Sequence, residues 1–178
     1  LVAVPTLELL QDSGIEVLAG LTRPDAHAGR GRSLLPNPFA NYVESKGLRI
    51  LKPNNAASLH EALQEVRPDL VITIAYGRLI RESELMQPKY GWINLHFSLL
   101  PKFRGAAPVQ RAILAGERRT GLTVFQLDRG MDSGSIYVQR EISLAGNENS
   151  GEVLSRLSEI GAPAVDRKST RLNSSHQI

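Results

Sequence analysis

The sequence contains no cysteine. Disulfide bonds, thiolate nucleophiles and cysteine-ligated zinc are therefore excluded, and the composition suits a reducing compartment such as the cytoplasm. No apolar run reaches about 18 residues, so no segment is predicted to span a membrane. Aromatic residues make up only 5% of the chain, with a single tryptophan. One aromatic side chain makes no stacking platform for bases, so we assign Trp92 to packing.

The residues that are present predict one packed α/β domain. Apolar residues make up 42% of 178 positions, which suffices for a single core. Helical spacing is found in residues 4–13, 37–47, 57–66, 108–116 and, capped by Ser150, 151–161. Strand-like segments are residues 15–21, 48–51, 70–77, 91–96, 121–128 and 135–144. This alternation is typical of a Rossmann-like, doubly wound, mostly parallel sheet.

The first strand of such a fold is expected to be missing from this chain. A doubly wound domain normally opens on a strand near the centre of its sheet. This chain instead opens almost directly with a helix at residues 4–13. We therefore interpret the sequence as truncated at its N-terminal side.

The C-terminal tail, residues 166–178, is interpreted as an assembly artefact. The eleven residues DRKSTRLNSSH match, in frame, the translation of a common short-read sequencing adapter. The tail carries Arg167, Lys168 and Arg171 against Asp166, so it contributes +2 of the formal charge of +3. We exclude it from fold reasoning. Residues 1–165 then form the single predicted domain, truncated at both ends, and its charge near neutrality says little about partners.

An asparagine and a histidine interrupt the apolar strand at residues 91–96. Because side chains alternate along a strand, Asn94 and His96 point to one face, while Ile93 and Leu95 point to the other. They lie at the C-terminal end of a predicted parallel strand, where open α/β sheets bind ligands. These two polar side chains therefore mark a candidate site.

A second polar cluster, DRGMDSG at residues 128–134, lies between two later strands. Gly130 and Gly134 permit a tight turn that could bring Asp132 towards His96. An amide donor, an imidazole and a carboxylate at one spot suit acyl transfer. Without cysteine or a G-x-S-x-G motif, the expected nucleophile is an amine of the substrate. The alternative is that His96 is a core residue, with Asn94 and Asp132 stabilising local turns.

The segments NLHFSLLPKFRGAAPVQ and QLDRGMDSG resemble the 10-formyltetrahydrofolate-dependent formyltransferase family. The motifs N-x-H, S-L-L-P, R-G-A-A-P and D-x-G-x-D-x-G occur in the family's order and spacing. The similarity runs from about Val2 to Val165 and is greatest to members that formylate methionyl-tRNA. Phe97 departs from the pattern, since several relatives carry a small residue there.

The resemblance implies roles for individual residues. It makes Asn94, His96 and Asp132 the catalytic trio. It implies contacts to tetrahydrofolate from two segments, namely Ser98, Leu99, Leu100 and Pro101, and Ala75, Tyr76, Gly77, Arg78, Leu79 and Ile80. The implied co-substrate is 10-formyltetrahydrofolate, with no metal. Arg104, in the R-G-A-A-P motif, either pairs with a nearby carboxylate or supports the turn at the site.

The loop at residues 22–38 is basic and glycine-rich. It holds Arg23, Arg30 and Arg32 against a single acid, Asp25. Composition alone leaves two interpretations open, a solvated loop or a surface that contacts nucleic-acid phosphates. The resemblance favours the second, because similar loops are typical of the tRNA-specific members. His27 stands where those members have proline, which makes the loop less rigid.

Several functions remain as alternatives at this stage. The main prediction is a monomeric, cytoplasmic enzyme that formylates initiator methionyl-tRNA, with an organellar location as the alternative. Rivals are a formyltransferase acting on an amino sugar nucleotide or glycinamide ribonucleotide, a formyltetrahydrofolate hydrolase, and a non-catalytic α/β module. The resemblance also implies a C-terminal β-barrel-like domain that this sequence does not contain.

Overall fold

A computed structural model describes residues 1–28, 33–35 and 37–174. In these residues the helices are α1 (Val4–Asp12), α2 (Pro38–Ser45), α3 (Ala56–Val66), α4 (Glu82–Leu85), α5 (Pro108–Leu114) and α6 (Ser150–Ser174). The strands are β1 (Gly20–Leu21), β2 (Ala26–Ala28), β3 (Ser33–Leu35), β4 (Ile50–Leu51), β5 (Val71–Ile74), β6 (Trp92–His96), β7 (Arg119–Gln126) and β8 (Ile136–Ser143).

The strands form one four-stranded sheet and two smaller pairs. The larger sheet has the order β5-β6-β7-β8. Its first pair, β5 and β6, is parallel, and the pairs β6–β7 and β7–β8 are antiparallel. A second parallel pair joins β1 to β4, and β2 and β3 form an antiparallel hairpin. The predicted α/β class is confirmed, with parallel pairing as far as β6 and antiparallel pairing after it.

The main core lies on one face of the larger sheet. Ile93 and Leu95 of β6 are 0% and 1% exposed and pack with residues of α5, α6 and β7. A smaller cluster surrounds Trp92, which is fully buried and donates its indole N–H to the carbonyl of Glu84 at 2.8 Å. The assignment of Trp92 to packing is confirmed. Because Ile93 and Leu95 fill the core, the alternation of the strand turns Asn94 and His96 to the opposite face.

Of the two N-caps predicted from the sequence, one is confirmed and the other is corrected. Asn37 caps α2 as predicted, since its side chain accepts from the N–H of Phe39 at 2.9 Å. The predicted cap of α6 by Ser150 is wrong. Asn149 accepts from the N–H groups of Gly151 and Glu152 at 2.9 and 3.1 Å, and the Glu152 carboxylate accepts from the N–H of Asn149. This reciprocal capping box outcompetes a single serine hydroxyl.

Helix α6 is longer than its sequence pattern indicated. Gly161, the predicted end of the helix, lies inside it. The absence of a side chain at Gly161 lets the helix pack closely against Leu95. A Cβ there would lie 2.6 Å from Cδ2 of Leu95. The helix passes Pro163 and reaches Ser174, and Lys168 Nζ lies 3.8 Å from the ring centre of Tyr137. The boundary proposed at Val165 therefore falls within a continuous helix, and the assignment of the tail stays a prediction.

Two further segments differ from the sequence patterns. The loop predicted at residues 22–38 contains the β2–β3 hairpin, with Ala26 opposite Leu35. The strand predicted at residues 15–21 is present only at Gly20–Leu21, because hydrogen bonding to the segment before β4 begins with the N–H of Gly20. The short helix α4 was not predicted.

An apolar groove lies between β1 and β5. Its volume is about 630 Å³, and its lining includes Leu7 and Leu10 of α1 and Val71 and Ile72 of β5. Within the described residues, β1 and β5 are not paired with each other. The expectation of a missing first strand stays a prediction. In the described part of the chain, no helix combines the length and apolarity needed to cross a bilayer.

Gly121 of β7 provides a test of the sheet packing. A Cβ at this position would collide with the carbonyl of Arg140 on β8 and lie 2.6 Å from Cδ2 of Leu99. We expect Gly121→Ala to lower the free energy of unfolding by about 1–3 kcal/mol, because backbone must move. Gly151→Ala is the control, since its Cβ meets only the movable Asn149 side chain. Equal stability of the two variants in urea denaturation would contradict this packing.

Candidate active site

The end of β6 brings Asn94 and His96 to the surface opposite the main core. Asn94 is partly exposed and His96 is 7% exposed. The His96 ring stands edge-on to Phe125 of β7, with centroids 6.4 Å apart and an interplanar angle of 87°. Among the described residues, the Asn94 carboxamide has no side-chain hydrogen-bond partner. Its donor is therefore available to a ligand.

The structure brings Asp132 to His96. Asp132 Oδ2 lies 3.7 Å from His96 Nδ1, and both side chains are mostly buried. The other ring nitrogen, Nε2, lies 3.0 Å from the carbonyl oxygen of Phe103. A carbonyl oxygen only accepts, so Nε2 carries a hydrogen in this contact. A doubly protonated ring would then direct one N–H to the carbonyl and the other to the carboxylate.

The turn at residues 103–105 is held at three successive backbone groups. His96 binds the Phe103 carbonyl, Arg111 donates to the Arg104 carbonyl at 2.6 Å, and Asp132 Oδ2 accepts from the Gly105 N–H at 2.6 Å. Two of the three residues have left-handed backbones, with φ of 55° at Phe103 and 82° at Gly105. These side chains therefore stabilise a conformation that a non-glycine residue adopts only at a cost.

Arg111 supports this turn, and the sequence analysis did not identify it. Its guanidinium also lies 5.5 Å from the ring centre of Phe103, a favourable cation–π distance. The side chain of Arg104, the residue considered for this role, is exposed. No sequence signal separated the two arginines, because the supporting contact is made through the Arg104 carbonyl.

Two glycines in close contact with neighbouring atoms set the shape of the loop at residues 128–134. Gly134 lies against the carbonyl of Gln126, and Gly130 lies against the Ser133 hydroxyl, so a Cβ at either position would collide. Asp132 has a left-handed φ of 49°, which aspartate tolerates better than most residues. The tight turn predicted here is present, and it directs the Asp132 carboxylate to His96.

The S-L-L-P turn, residues 98–101, is fastened to the antiparallel strands. The Thr123 hydroxyl donates to the Ser98 carbonyl at 2.7 Å and accepts from the Leu100 N–H at 3.1 Å. Gln139 donates to both the Leu100 carbonyl and the Thr123 hydroxyl, at 2.8 and 3.0 Å. Thr123 and Gln139 were missed from sequence, although a polar residue within the apolar run of β7 was a signal for Thr123.

The side chains of this turn face different environments. Ser98 is fully buried and donates its hydroxyl to the Lys102 carbonyl at 2.6 Å. Leu100 is buried, Leu99 is partly exposed and Pro101 is exposed. The turn therefore offers the side chains of Leu99 and Pro101, rather than the Ser98 hydroxyl, to a bound molecule.

The segment at residues 75–80 leaves the sheet beside the trio. It follows β5, and Ile74 pairs with Leu95 in parallel register. Ala75 and Gly77 are exposed and have φ of 52° and 69°. Leu79 is 81% exposed and Ile80 is 8% exposed. Because β5 and β6 are parallel, this segment and the turn after His96 start from the same edge of the sheet.

Arg78 and Tyr76 give this segment its polar contacts. The Arg78 guanidinium donates to the carbonyls of Pro53 and Asn54, each at 2.7 Å. The Tyr76 hydroxyl is buried and has no hydrogen-bond partner in the described chain. Burial raises the pKa of Tyr76, and the nearby charges of Arg78 and Arg23 partly oppose this effect. A buried hydroxyl without a partner suits a site that receives a polar ligand.

Of the three arginines expected to contact nucleic acid, the structure describes only Arg23. Arg23 is exposed beside the β2–β3 hairpin, whereas Arg30 and Arg32 lie outside the described residues. In the described ranges, no cluster of three His, Cys, Asp or Glu side chains could hold a metal ion. The arrangement of Asn94, His96 and Asp132 offers an oxyanion donor and a proton-transfer pair, which together suit acyl transfer.

Comparison with known proteins gives the family. A family model for formyl transferases matches residues 3–166. The chain belongs to the formyl transferase family. It is 46% identical over 168 residues to a methionyl-tRNA formyltransferase of Thermobifida fusca (strain YX), covering 93% of this chain and 54% of that protein. It is 48% identical to a methionyl-tRNA formyltransferase of Clavibacter sepedonicus, covering 94% of this chain and 55% of that protein.

The chain thus spans about half the length of these curated relatives. Two solved structures share the fold of this chain. The phosphoribosylglycinamide formyltransferase of Streptococcus pneumoniae TIGR4 has a TM-score of 0.79 at 18% identity, covering 96% of this chain and 93% of that chain. A formyltetrahydrofolate deformylase of Pseudomonas syringae has a TM-score of 0.74 at 15% identity, covering 92% of this chain and 55% of that chain. The predicted formyltransferase fold is therefore confirmed.

Thr123 allows a direct test of how the S-L-L-P turn is held. We expect Thr123→Val to lower the free energy of unfolding by about 1–3 kcal/mol, because the buried Leu100 N–H loses its acceptor. Thr120→Val is the control, since Thr120 is also buried in β7 but makes no side-chain hydrogen bond within the described residues. Urea denaturation of both variants measures the difference. A loss as large in Thr120→Val would point to β-strand packing instead.

Proposed function

We propose that this chain carries the catalytic site that transfers a formyl group from 10-formyltetrahydrofolate to the α-amino group of initiator methionyl-tRNA. The observation that carries the proposal is the convergence of Asn94, His96 and Asp132, with Asp132 Oδ2 at 3.7 Å from His96 Nδ1 and the Asn94 carboxamide without a partner. Membership of the formyl transferase family supports a formyl group as the group transferred, and the curated relatives support methionyl-tRNA as the acceptor.

The chemistry follows from these groups. The neutral α-amino nitrogen attacks the formyl carbon, and a C–N bond forms while the carbonyl oxygen takes the negative charge. The Asn94 amide donates to this oxyanion, and the charge of a protonated His96 ring stabilises it. The amine then loses a proton, the bond from the formyl carbon to N10 breaks, and N10 takes up a proton. Asp132 orients the imidazole, so the pair can move these protons.

The reaction needs no activated side-chain nucleophile. A free α-amino group has a pKa of about 7.7–8.0, so a useful neutral fraction exists near neutral pH. The chain has no cysteine to form an acyl intermediate. We therefore propose direct transfer between the two substrates, without a metal.

We assign binding of the folate donor to the two segments that flank the trio. The 98–101 turn offers the side chains of Leu99 and Pro101, and the buried residues Ser98 and Leu100 hold the turn in shape. The segment from Ala75 to Ile80 offers exposed backbone at Ala75 and Gly77, the unpartnered Tyr76 hydroxyl, and Leu79. Exposed peptide groups beside apolar side chains suit a flat heterocycle that carries hydrogen-bonding edges.

We assign the acceptor surface to the basic hairpin. Arg23, Arg30 and Arg32 would contact phosphates at the acceptor end of the tRNA. The alternative acceptors are less well supported, because the phosphoribosylglycinamide enzymes match at 17–23% identity and so share the fold alone. The relatives are bacterial, which supports a location in the bacterial cytoplasm, and we propose in addition that the enzyme is a monomer.

His96 is the first residue to test. We expect His96→Ala to lower the rate of formylation by roughly 10²–10⁴-fold, the contribution of a positioned acid–base group, while affinity for the folate donor is retained. His60→Ala is the control, because His60 lies on α3 and contacts Gln87 rather than the site. Single-turnover assays with methionyl-tRNA measure the rate. Near-normal turnover of His96→Ala would remove His96 from the mechanism.

Arg30 tests the acceptor assignment. We expect Arg30→Ala to raise the KM for methionyl-tRNA and to reduce the salt dependence of binding by about one phosphate contact. The KM for the folate donor should stay unchanged. Arg140→Ala, which removes an exposed arginine from β8, is the control. Unaltered methionyl-tRNA kinetics in Arg30→Ala would exclude the hairpin from tRNA binding.

A further inference from the structure

The base of the β2–β3 hairpin is closed by two polar residues. Asp25 immediately precedes β2, and Asn37 lies two residues after β3. The backbone N–H of Asn37 donates to Asp25 Oδ1 at 3.3 Å. The two ends of the hairpin are therefore joined outside its last paired residues.

Both residues are also fastened to the carboxyl ends of the β1–β4 pair. Lys52, which follows β4, places Nζ at 2.8 and 3.0 Å from the two carboxylate oxygens of Asp25. Asn37 donates its side-chain amide to the hydroxyl of Thr22, which follows β1, at 2.7 Å. Lys52 and Asp25 are 27% and 25% exposed, so water screens this ion pair less than a fully exposed one.

The turn that carries Lys52 also holds the 75–80 segment. Its next two carbonyls, those of Pro53 and Asn54, accept from the guanidinium of Arg78, each at 2.7 Å. Residues 52–54 thus contact the hairpin on one side and Arg78 on the other. Hydrogen bonds and the backbone of residues 52–54 therefore connect the hairpin, which is assigned to the acceptor, with the 75–80 segment, which is assigned to the donor.

We propose that Asp25 and Lys52 are positioning residues, which hold the arginine-bearing hairpin at a fixed place relative to the 75–80 segment. The inference rests on the proposed function, because it assigns tRNA affinity in part to residues that do not touch the tRNA. The clamp, defined as Thr22, Asp25, Asn37 and Lys52, limits the orientations of the paired strands β2 and β3. Fewer orientations mean a smaller entropic loss when the acceptor end binds.

Lys52 has a second effect through charge. Its hydrogen bond lowers the pKa of Asp25, an effect that burial opposes, so the carboxyl group is ionised at neutral pH. Removal of Lys52 alone would leave a negative charge beside Arg23, on the surface assigned to phosphates. A test must therefore separate position from charge.

Three variants make that separation. Lys52→Met removes the contact and leaves an uncompensated carboxylate. The double variant Asp25→Asn/Lys52→Met removes the ion pair but keeps the net charge. The exchanged pair Asp25→Lys/Lys52→Asp restores opposite charges at the same two positions. Glu65→Gln is the matched control, because it removes a 2.7 Å ion pair with Arg49 that does not involve the hairpin.

We expect the first two variants to raise the KM for methionyl-tRNA by roughly threefold to tenfold, with kcat and the KM for the folate donor unchanged. The exchanged pair should recover part of this loss, because it restores the ion pair but removes the acceptor of the Asn37 N–H, and Glu65→Gln should show no loss. If the charge-neutral double variant behaves like the unaltered chain, Lys52 acts through charge alone and the positioning role is overturned.

Hydrogen exchange tests the clamp apart from the activity. The amides of Ala26–Ala28 and Ser33–Leu35 should exchange faster in the double variant than in the unaltered chain and in Glu65→Gln. Unchanged exchange there overturns the inference even if formylation is observed. Absence of formylation in the unaltered chain refutes the proposed function instead, and the exchange result still reports on the clamp.

Discussion

The Asp132 carboxylate is the contact on which the candidate site depends. One of its oxygens accepts from the Gly105 N–H at 2.6 Å and lies 3.7 Å from His96 Nδ1. It therefore joins three segments that are distant in sequence, namely β6, the 103–105 turn and the 128–134 loop. A carboxylate held by a backbone N–H has a fixed direction, so the imidazole beside it is oriented before any substrate arrives.

The site stores backbone strain at the positions where these segments meet. Non-glycine residues with left-handed φ include Ala75 after β5, Phe103 and Ala107 around the R-G-A-A-P motif, and Asp132. Such conformations are costly for residues with a Cβ and persist where side chains hold them in place. At Phe103 the holding contact is His96 itself. The group assigned to proton transfer thus also stabilises the turn beside it.

How much of this site could be predicted depends on the kind of signal. The alternation of β6 was sufficient to place Asn94 and His96 on one face, because Ile93 and Leu95 must fill the core. The approach of Asp132 was harder to predict. Since β7 is antiparallel to β6, with Ile93 opposite Gln126, the loop after β7 starts at the amino end of β6 and must return along the sheet to His96. Strand order alone would not bring Asp132 there.

The supporting residues escaped prediction for a different reason. The supporting contacts of Thr123, Gln139 and Arg111 are made to backbone carbonyls and amides of the turns. Contacts with the backbone cannot be recognised from the spacing of residue types in the sequence. The same holds for the hairpin within residues 22–38, whose short strands pair by main-chain hydrogen bonds. Sequence patterns report which residues are buried, whereas these contacts depend on how turns lie once the sheet has formed.

The segment assigned to the folate donor and the hairpin assigned to tRNA are connected within the structure. The folate segment begins after β5 and the arginine hairpin begins after β1, and the described part of the chain shows no pairing between those two strands. The hydrogen bonds from Asp25 through Lys52 and the 52–54 turn to Arg78 cross this gap at the carboxyl edge. A contact at this edge fixes the distance between donor and acceptor more directly than packing in the core, since the loops it joins are the ones that would bind substrates. The clamp therefore bears on how tightly the acceptor end is bound, whereas the trio acts on the step in which the attacking amine and the formyl carbon approach within about 3–3.5 Å.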